Sequence, residues 1–366
     1  MSTQVIICCG SGGVGKTTTS AALGLKWALS GQRVVVITID PAKRLADSLG
    51  IASIGNIPTT VPIAGIDPET TGRLDAIMLD TAATFSTLIH RFAATPETAQ
   101  QILENRYFQF ASERLGGVHE YMAAEKVRQL VACGEYDTVV VDTPPTRNAL
   151  DFLTAPDRMA ELMDGAVMRW MSMPATKSGW RALELGSEAV AKVLRRLVGQ
   201  STIGEIAAFF ELFRGLWDGF HARSMEVHRM LRSEHTRFYL VTSAAPAART
   251  EALFFLKLLH EQDMPFGGFV VNRTHQAPAH PLVRRDLPSD GPLPLDEWNA
   301  VCEAVVRAHH DHARTAIACE RSISALRAAG PQDAACWRVP DMGKGLNDLA
   351  DLATLLEHLP APRVLP

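Results

Sequence analysis

No C-x-x-C pair occurs in the 366 residues, and the six cysteines (8, 9, 133, 302, 319 and 336) are scattered apart from the adjacent first two. That removes the strongest sequence signal for a zinc or iron–sulfur site and leaves buried or incidental thiols. Basic charge is not in surplus either: 36 Lys and Arg stand against 40 Asp and Glu, a formal net charge of -4. Such a balance argues against a nucleic-acid or anionic-lipid partner. Apolar runs stay well short of the roughly 20 residues that cross a bilayer. The opening MSTQVIICCG has no basic leader, so a cytoplasmic protein without a signal peptide is expected. The closing LPAPRVLP is too proline-bearing for a membrane-binding helix, so any membrane contact is expected only through partners. There is no internal repeat, and the composition, 47 % hydrophobic and 21 % charged, is that of a globular protein.

What the chain does have is an alternation of short apolar runs with helical stretches. Strands are expected at 4–9, 33–39, 74–79, 138–142, 237–242, 267–272 and 335–339. Runs such as VVVITI and TVVVD are apolar throughout, as central parallel strands covered on both faces must be. The pattern predicts an α/β fold with a doubly wound, mostly parallel sheet and ligands at the carboxyl ends of its strands. From about 150 to 234 no strand signal is found, only helical patterns, and 96–132 reads the same way. A helical subdomain (96–132 and 151–234) inserted into an α/β domain (1–150 and 235–366) is the expected organisation.

The chemistry concentrates at four places. Gly10, Ser11, Gly12, Gly13, Val14, Gly15, Lys16, Thr17 and Thr18 form G-x-x-x-x-G-K-T-T between an apolar strand and a helix, the context a phosphate-binding loop requires. Lys16 is expected on the β- and γ-phosphates and Thr17 on Mg²⁺. Asp40 ends the second strand before a proline; it is either the orienter of an attacking water or a helix-entry turn. Asp142 ends another apolar strand, the usual position of the carboxylate that holds Mg²⁺ through water, and Thr143-Pro144-Pro145-Thr146 follow it as a stiff loop. Asn272 ends GGFVVN and could offer its amide to a base edge.

These elements, in this order, resemble the arsenite-pump ATPase (ArsA) family, with its eukaryotic relative that delivers tail-anchored membrane proteins, over nearly the whole chain. The loop is then a deviant Walker A loop, Asp40-Pro41-Ala42 the first switch, and Asp142-Thr143 with Pro145-Thr146 the second. The resemblance implies ATP rather than GTP, Asp40 as the water-polarising carboxylate, Asn272 against adenine and Pro340 on the adenine-side loop. It also implies a dimerising switch with ATP and Mg²⁺ as cofactors. Departures accompany the match. Ser11 stands where the family carries a second lysine, one that crosses the dimer interface to the partner's phosphates. Lys43-Arg44 stand where His-Asn is frequent, Arg147-Asn148 replace Gly-His, and the zinc-binding cysteine pair and any metalloid cysteine cluster are missing. Loss of a trans cation can cost roughly 10³–10⁵ in rate. Either Lys43 or Arg44 supplies it in cis, or a lysine-bearing paralogue supplies it in a heterodimer; a homodimer would rely on the former.

Three function classes follow: a chaperone or targeting factor for apolar or membrane-protein clients, the energising subunit of an anion pump, and a positioning ATPase of the partition or septum-site kind. The missing metalloid cysteines weigh against the second and the helical insertion against the third. Five of the 12 methionines (Met159, Met163, Met168, Met171 and Met173) lie around Trp170, as a client groove or as ordinary core. Phe209, Phe210, Phe213, Leu216, Trp217 and Phe220 form a second apolar stripe that reads as helix packing. His309 and His312 share a helix face (i, i+3), which fits a solvated face better than a metal site.

Overall fold

The computed structural model describes residues 3–40, 44–105, 118–144, 217–331, 334–343, 345–346 and 348–362. It divides into two compact units: Met1–Met78, Cys133–Thr146 and Arg232–Pro366 in the first, Leu79–Ala132 and Arg147–Leu231 in the second.

The first unit is built on an eight-stranded sheet. In chain order its strands are β1 (Gln4–Cys9), β2 (Arg33–Thr38), β3 (Thr59–Val61), β4 (Arg73–Met78), β5 (Thr138–Asp142), β6 (Thr236–Ser243), β7 (Phe266–Thr274) and β8 (Ala335–Pro340). They lie in the order β3-β4-β2-β5-β1-β6-β7-β8. All neighbours pair parallel except β3, which runs antiparallel to β4 at one edge. The fold class is α/β and mostly parallel, as the apolar runs predict. Seven of the strands were expected. The three residues of β3, TTV, are too short and too polar to register as a strand on their own.

Burial explains the arrangement of the centre. Every residue of β5 is buried, and so are Val34, Val35, Val36 and Ile37 of β2 at 0 % exposure, which only a strand covered on both faces achieves. Helix α1 (Lys16–Leu29) lies close against this sheet, with Ala21, Ala22, Leu23 and Leu25 fully buried. Gly24 permits the approach: a Cβ there would stand 2.3 Å from Val36 Cγ2, in a side chain with no room to move. At the far end of α1, Lys26 Nζ donates to the carbonyls of Leu356 (2.5 Å) and Leu359 (2.7 Å), tying the late chain to the helix that opens at the phosphate loop.

Short α2 (Arg44–Leu49) follows β2. In the second unit, α3 (Thr81–Phe92) is capped by Asp80, whose side chain accepts from Ala83 N. Helix α4 (Pro96–Glu104) is capped in the same way by Thr95. Helix α5 (Val118–Ala132) and α6 (Trp217–Arg232) follow. Phe220 is buried against Phe85, Phe92 and Tyr121, with ring centroids 5.9 to 6.4 Å apart, so this member of the second apolar stripe is core. Phe209, Phe210, Phe213 and Leu216 lie outside the described residues, as do the methionines around Trp170.

Back in the first unit, α7 (Pro246–Glu261) covers β6, and α8 (Leu295–Ala329) runs for 35 residues before β8; α9 (Leu349–Ala353) closes the described chain. Only the later half of α8 is buried continuously, through Ala316, Cys319, Ser322, Ile323 and Leu326. His309 and His312 project their Nε2 atoms to the carbonyl oxygens of His280 and Gln276, each at 3.0 Å, and so fasten the preceding loop to the helix. Among the described residues no cluster of three or more His, Cys, Asp or Glu is placed to hold a metal ion, and no helix is long and apolar enough to cross a membrane.

Candidate nucleotide site

Parallel register sets the site. Cys8 of β1 and Thr38 of β2 both lie level with Asp142 of β5, and Ser243 of β6 lies level with Asn272 of β7. The carboxyl ends of four central strands thus meet the loop between β1 and α1. Gly10 lies so close to β6 that a Cβ would sit 2.0 Å from the Val241 carbonyl oxygen. Gly15, at φ +92°, is the cap of α1 and has Asn272 Nδ2 where its Cβ would be, at 2.2 Å. Both positions require glycine, one for space and the other for space and backbone conformation.

Lys16 is buried and reaches back across the loop, its Nζ donating to the Ser11 carbonyl at 2.9 Å. Burial pushes its pKa down, Asp142 opposes this, and the nearby Arg44 adds to the depression. A lysine whose ammonium rests on a backbone carbonyl rather than in an ion pair can turn to a phosphate.

Asp142 is 1 % exposed. Its Oδ2 accepts from Thr17 Oγ1 at 2.8 Å and from Thr38 Oγ1 at 3.0 Å. Its Oδ1 is buried without a hydrogen-bond partner among the described residues. Burial raises the carboxyl to about 6, against the lowering effect of the two hydroxyls and Lys16. An orphaned carboxylate oxygen beside the Thr17 hydroxyl fits a hard cation, which prefers oxygen ligands and keeps several waters. Thr38 was not anticipated as part of the site. Its only trace in the sequence is a hydroxyl ending an apolar strand two residues before Asp40.

Asp40 lies just beyond β2. Its N–H donates to Thr38 Oγ1 at 3.3 Å, and its Oδ2 pairs with Arg44 Nη1, also at 3.3 Å. Thr143 continues from Asp142, its Oγ1 donating to the Cys8 carbonyl at 2.8 Å. Asn272 donates through Nδ2 to the Val14 carbonyl at 2.9 Å, and its Oδ1 accepts from Arg273 N at 2.9 Å. Pro340 ends β8 level with Thr274, two residues beyond Asn272. The structure therefore brings the loop, Asp40, Asp142, Asn272 and Pro340 to one sheet edge. Pro41, Ala42, Lys43, Pro145, Thr146, Arg147 and Asn148 lie outside the described residues. Cys8 and Cys9 are fully buried beneath the loop, and burial raises both thiols, that of Cys9 to about 12, so neither is a nucleophile here.

A phosphate loop, a strand-end carboxylate and an inserted unit in this order invite comparison with known proteins. The family model described as anion-transporting ATPase (ArsA) matches residues 3–277. The chain belongs to this family. Among curated relatives, Protein Rv2184c of Mycobacterium tuberculosis is 37 % identical over 157 residues, 40 % of this chain and 36 % of its own length. ATPase GET3 of Malassezia globosa is 32 % identical over 151 residues, 41 % of this chain and 42 % of its own. ATPase BagA of M. tuberculosis is 23 % identical over 287 residues, covering 76 % of this chain and 66 % of that protein. The matched stretch thus spans from about a third to just under two thirds of these relatives.

The buried carboxylate generates a test. A carboxyl that titrates at 3.8 in an open chain and at about 6 when folded binds its proton more tightly in the folded state. Folding is therefore weakened as pH rises through that window, by about 3 kcal/mol once above it. Asp142→Asn removes the charge and should raise the unfolding midpoint of the nucleotide-free protein at pH 8, with the gain falling to about half by pH 5. The same variant should lose any stabilisation that Mg²⁺ adds in the presence of nucleotide. Denaturant midpoints at the two pH values, with and without Mg-nucleotide, check both statements.

Proposed function

We propose that the chain is a Mg²⁺-dependent ATPase that works as a nucleotide-driven, dimerising switch and handles apolar segments of client proteins. The observation that carries the nucleotide reading is Asp142, buried with one oxygen on Thr17 and Thr38 and the other orphaned, beside Lys16 in a glycine-bounded loop. Family membership and relatives named ATPase support the same reading.

The residues divide the work by position. Backbone N–H groups of residues 12 to 17, at the positive end of α1, would cradle the phosphates. Lys16 would leave the Ser11 carbonyl for the β- and γ-phosphates. The Thr17 hydroxyl and, through water, Asp142 would hold Mg²⁺. When bound, that ion supplies charge neutralisation on the phosphate oxygens. Asp40 would orient the attacking water after release from Arg44, so the Asp40–Arg44 pair marks the resting arrangement. Pro340 and Asn272 would flank adenine at the β7–β8 end. Lys16→Ala should abolish ATP binding, whereas Asp40→Asn should keep binding and slow turnover at least tenfold, since the amide keeps the shape and loses the base. Normal turnover by Lys16→Ala would remove the site assignment, and normal turnover by Asp40→Asn would remove that carboxylate from catalysis.

Ser11 leaves open which cation completes the site. In cis the candidates are Arg44, which pairs with Asp40 at 3.3 Å, and Lys43, which lies outside the described residues. The rival is a lysine-bearing paralogue supplying it in trans. If Lys43 or Arg44 serves, the protein alone turns over ATP and Lys43→Gln or Arg44→Gln loses that activity. If a paralogue serves, the protein alone is slow, and a mixture or Ser11→Lys is fast. Turnover of these five samples separates the two.

A targeting role, in the cytoplasm and with membranes reached only through partners, is the reading that the GET3-named relative and the methionines of residues 159–173 support. Those methionines lie outside the described residues, so polar replacement of Met163 and Met171 is the direct probe. Capture of apolar peptides should fall with ATP turnover unchanged; loss of the fold instead would assign them to the core. An anion-pump role remains the rival, distinguished by whether a membrane channel or an apolar client co-purifies.

A further inference from the structure

Asn272 does something that a base contact does not require. Its Nδ2 donates to the Val14 carbonyl at 2.9 Å, between residues 258 positions apart in the chain. The carbonyl oxygen of Val14 and the N–H of Gly15 belong to one planar peptide unit, and no cis peptide occurs among the described residues. In a trans unit these two groups point in opposite directions. Holding the Val14 carbonyl toward Asn272 therefore turns the Gly15 N–H away from β7, toward the loop interior. Without that hold, the peptide can turn about the φ of Gly15, which at +92° has no Cβ to restrict it.

The amide is aimed by its own backbone. Between Val271 and Thr274 the register of β7 on β8 shifts, an irregularity that redirects a side chain at a strand end. Arg273 adopts φ +54°, one of two positive values at non-glycine residues among those described, and its N–H donates to Asn272 Oδ1 at 2.9 Å. That bond fixes which end of the amide faces Val14. The space Asn272 occupies is the space a Cβ on Gly15 would need, 2.2 Å away.

We propose that Asn272 is a positioning residue for the phosphate loop, latching the Val14–Gly15 peptide so that the Gly15 N–H is presented to a bound phosphate whatever base is attached. The inference rests on the nucleotide reading above and extends it: one amide spans the base end and the phosphate end of the site. An asparagine amide has two donors and two acceptor lone pairs, so the latch and the Arg273 bond leave one of each for a base.

The probe is inorganic tripolyphosphate, which has the phosphates and no base. Asn272→Ala, and Asn272→Asp, which cannot donate to a carbonyl, should bind Mg-tripolyphosphate about tenfold more weakly than wild type, and ATP by at least as much. Amide exchange of residues 12–16 in the ligand-free variants should be faster, with exchange in the middle of β7 unchanged. Calorimetry and hydrogen-exchange measurements read these two effects separately. If the variants bind tripolyphosphate as wild type does and lose only ATP affinity, Asn272 is a base contact and the latch is wrong. Unchanged exchange in the loop overturns it as well. If wild-type protein binds neither ligand, the nucleotide reading itself falls and takes the latch with it.

Discussion

A carboxylate buried at the end of a central strand is expensive, and much of the first unit is organised around making Asp142 tolerable there. Two threonine hydroxyls from different elements, Thr17 on α1 and Thr38 on β2, spend their protons on the same oxygen. Lys16 adds charge compensation, yet the carboxyl still rises to about 6, and the second oxygen finds no partner among the described residues. Apolar replacement would be the cheaper solution if stability alone were at stake. A buried acid with one oxygen held by two hydroxyls and the other open to a cation would couple ligand binding to rigidity of the site. Thr17, Thr38 and Asp142 belong to three elements, and the two hydrogen bonds to one carboxylate oxygen join all three.

That coupling depends on the sheet. Thr38, Asp142 and Cys8 are level because β2, β5 and β1 are parallel neighbours in strict register. A one-residue slip of β5 would turn Asp142 to the other face, away from both threonines. The apolar runs on both sides forbid such a slip only weakly, since β5 is buried on both faces. The hydroxyl–carboxylate bonds at its end therefore help fix the register as well as the site.

Much of this was legible in the sequence. Continuous apolar runs announce central parallel strands because both faces must be covered, and G-x-x-x-x-G-K-T between a strand and a helix announces the phosphate loop because nothing else needs those glycines together. What escaped had no local signal. β3 is three residues long and pairs antiparallel at an edge, where burial on one side suffices. Thr38 gains its meaning from a residue 104 positions away. Asn272 read as a lone amide at a strand end, whereas its contact with Val14 depends on the β7 irregularity and on the left-handed Arg273, neither of which leaves a pattern in composition. The helix face bearing His309 and His312 read as solvated and is largely exposed, but the bonds of its two imidazoles to the carbonyls of His280 and Gln276 had no local signal.

The same reasoning clarifies what serine at position 11 changes. Lys16 rests on the carbonyl of residue 11, a group every amino acid supplies, so replacing a lysine there leaves the resting geometry of the loop intact. What is lost is charge. Among the described residues the ionic groups of the site are Lys16 and Arg44 against Asp40 and Asp142, two of each sign; Lys43 and Arg147 lie outside them. A triphosphate adds several negative charges, and Mg²⁺ offsets only two of them. The added charge therefore calls for a further cation, drawn from a partner or freed within the chain. Among the described residues the internal source is Arg44, which is paired with Asp40 at 3.3 Å. Moving Arg44 onto phosphate would release Asp40 to accept a proton from water in the same step. Cation supply and base release would then be one event, a coupling that a lysine at position 11 would make unnecessary.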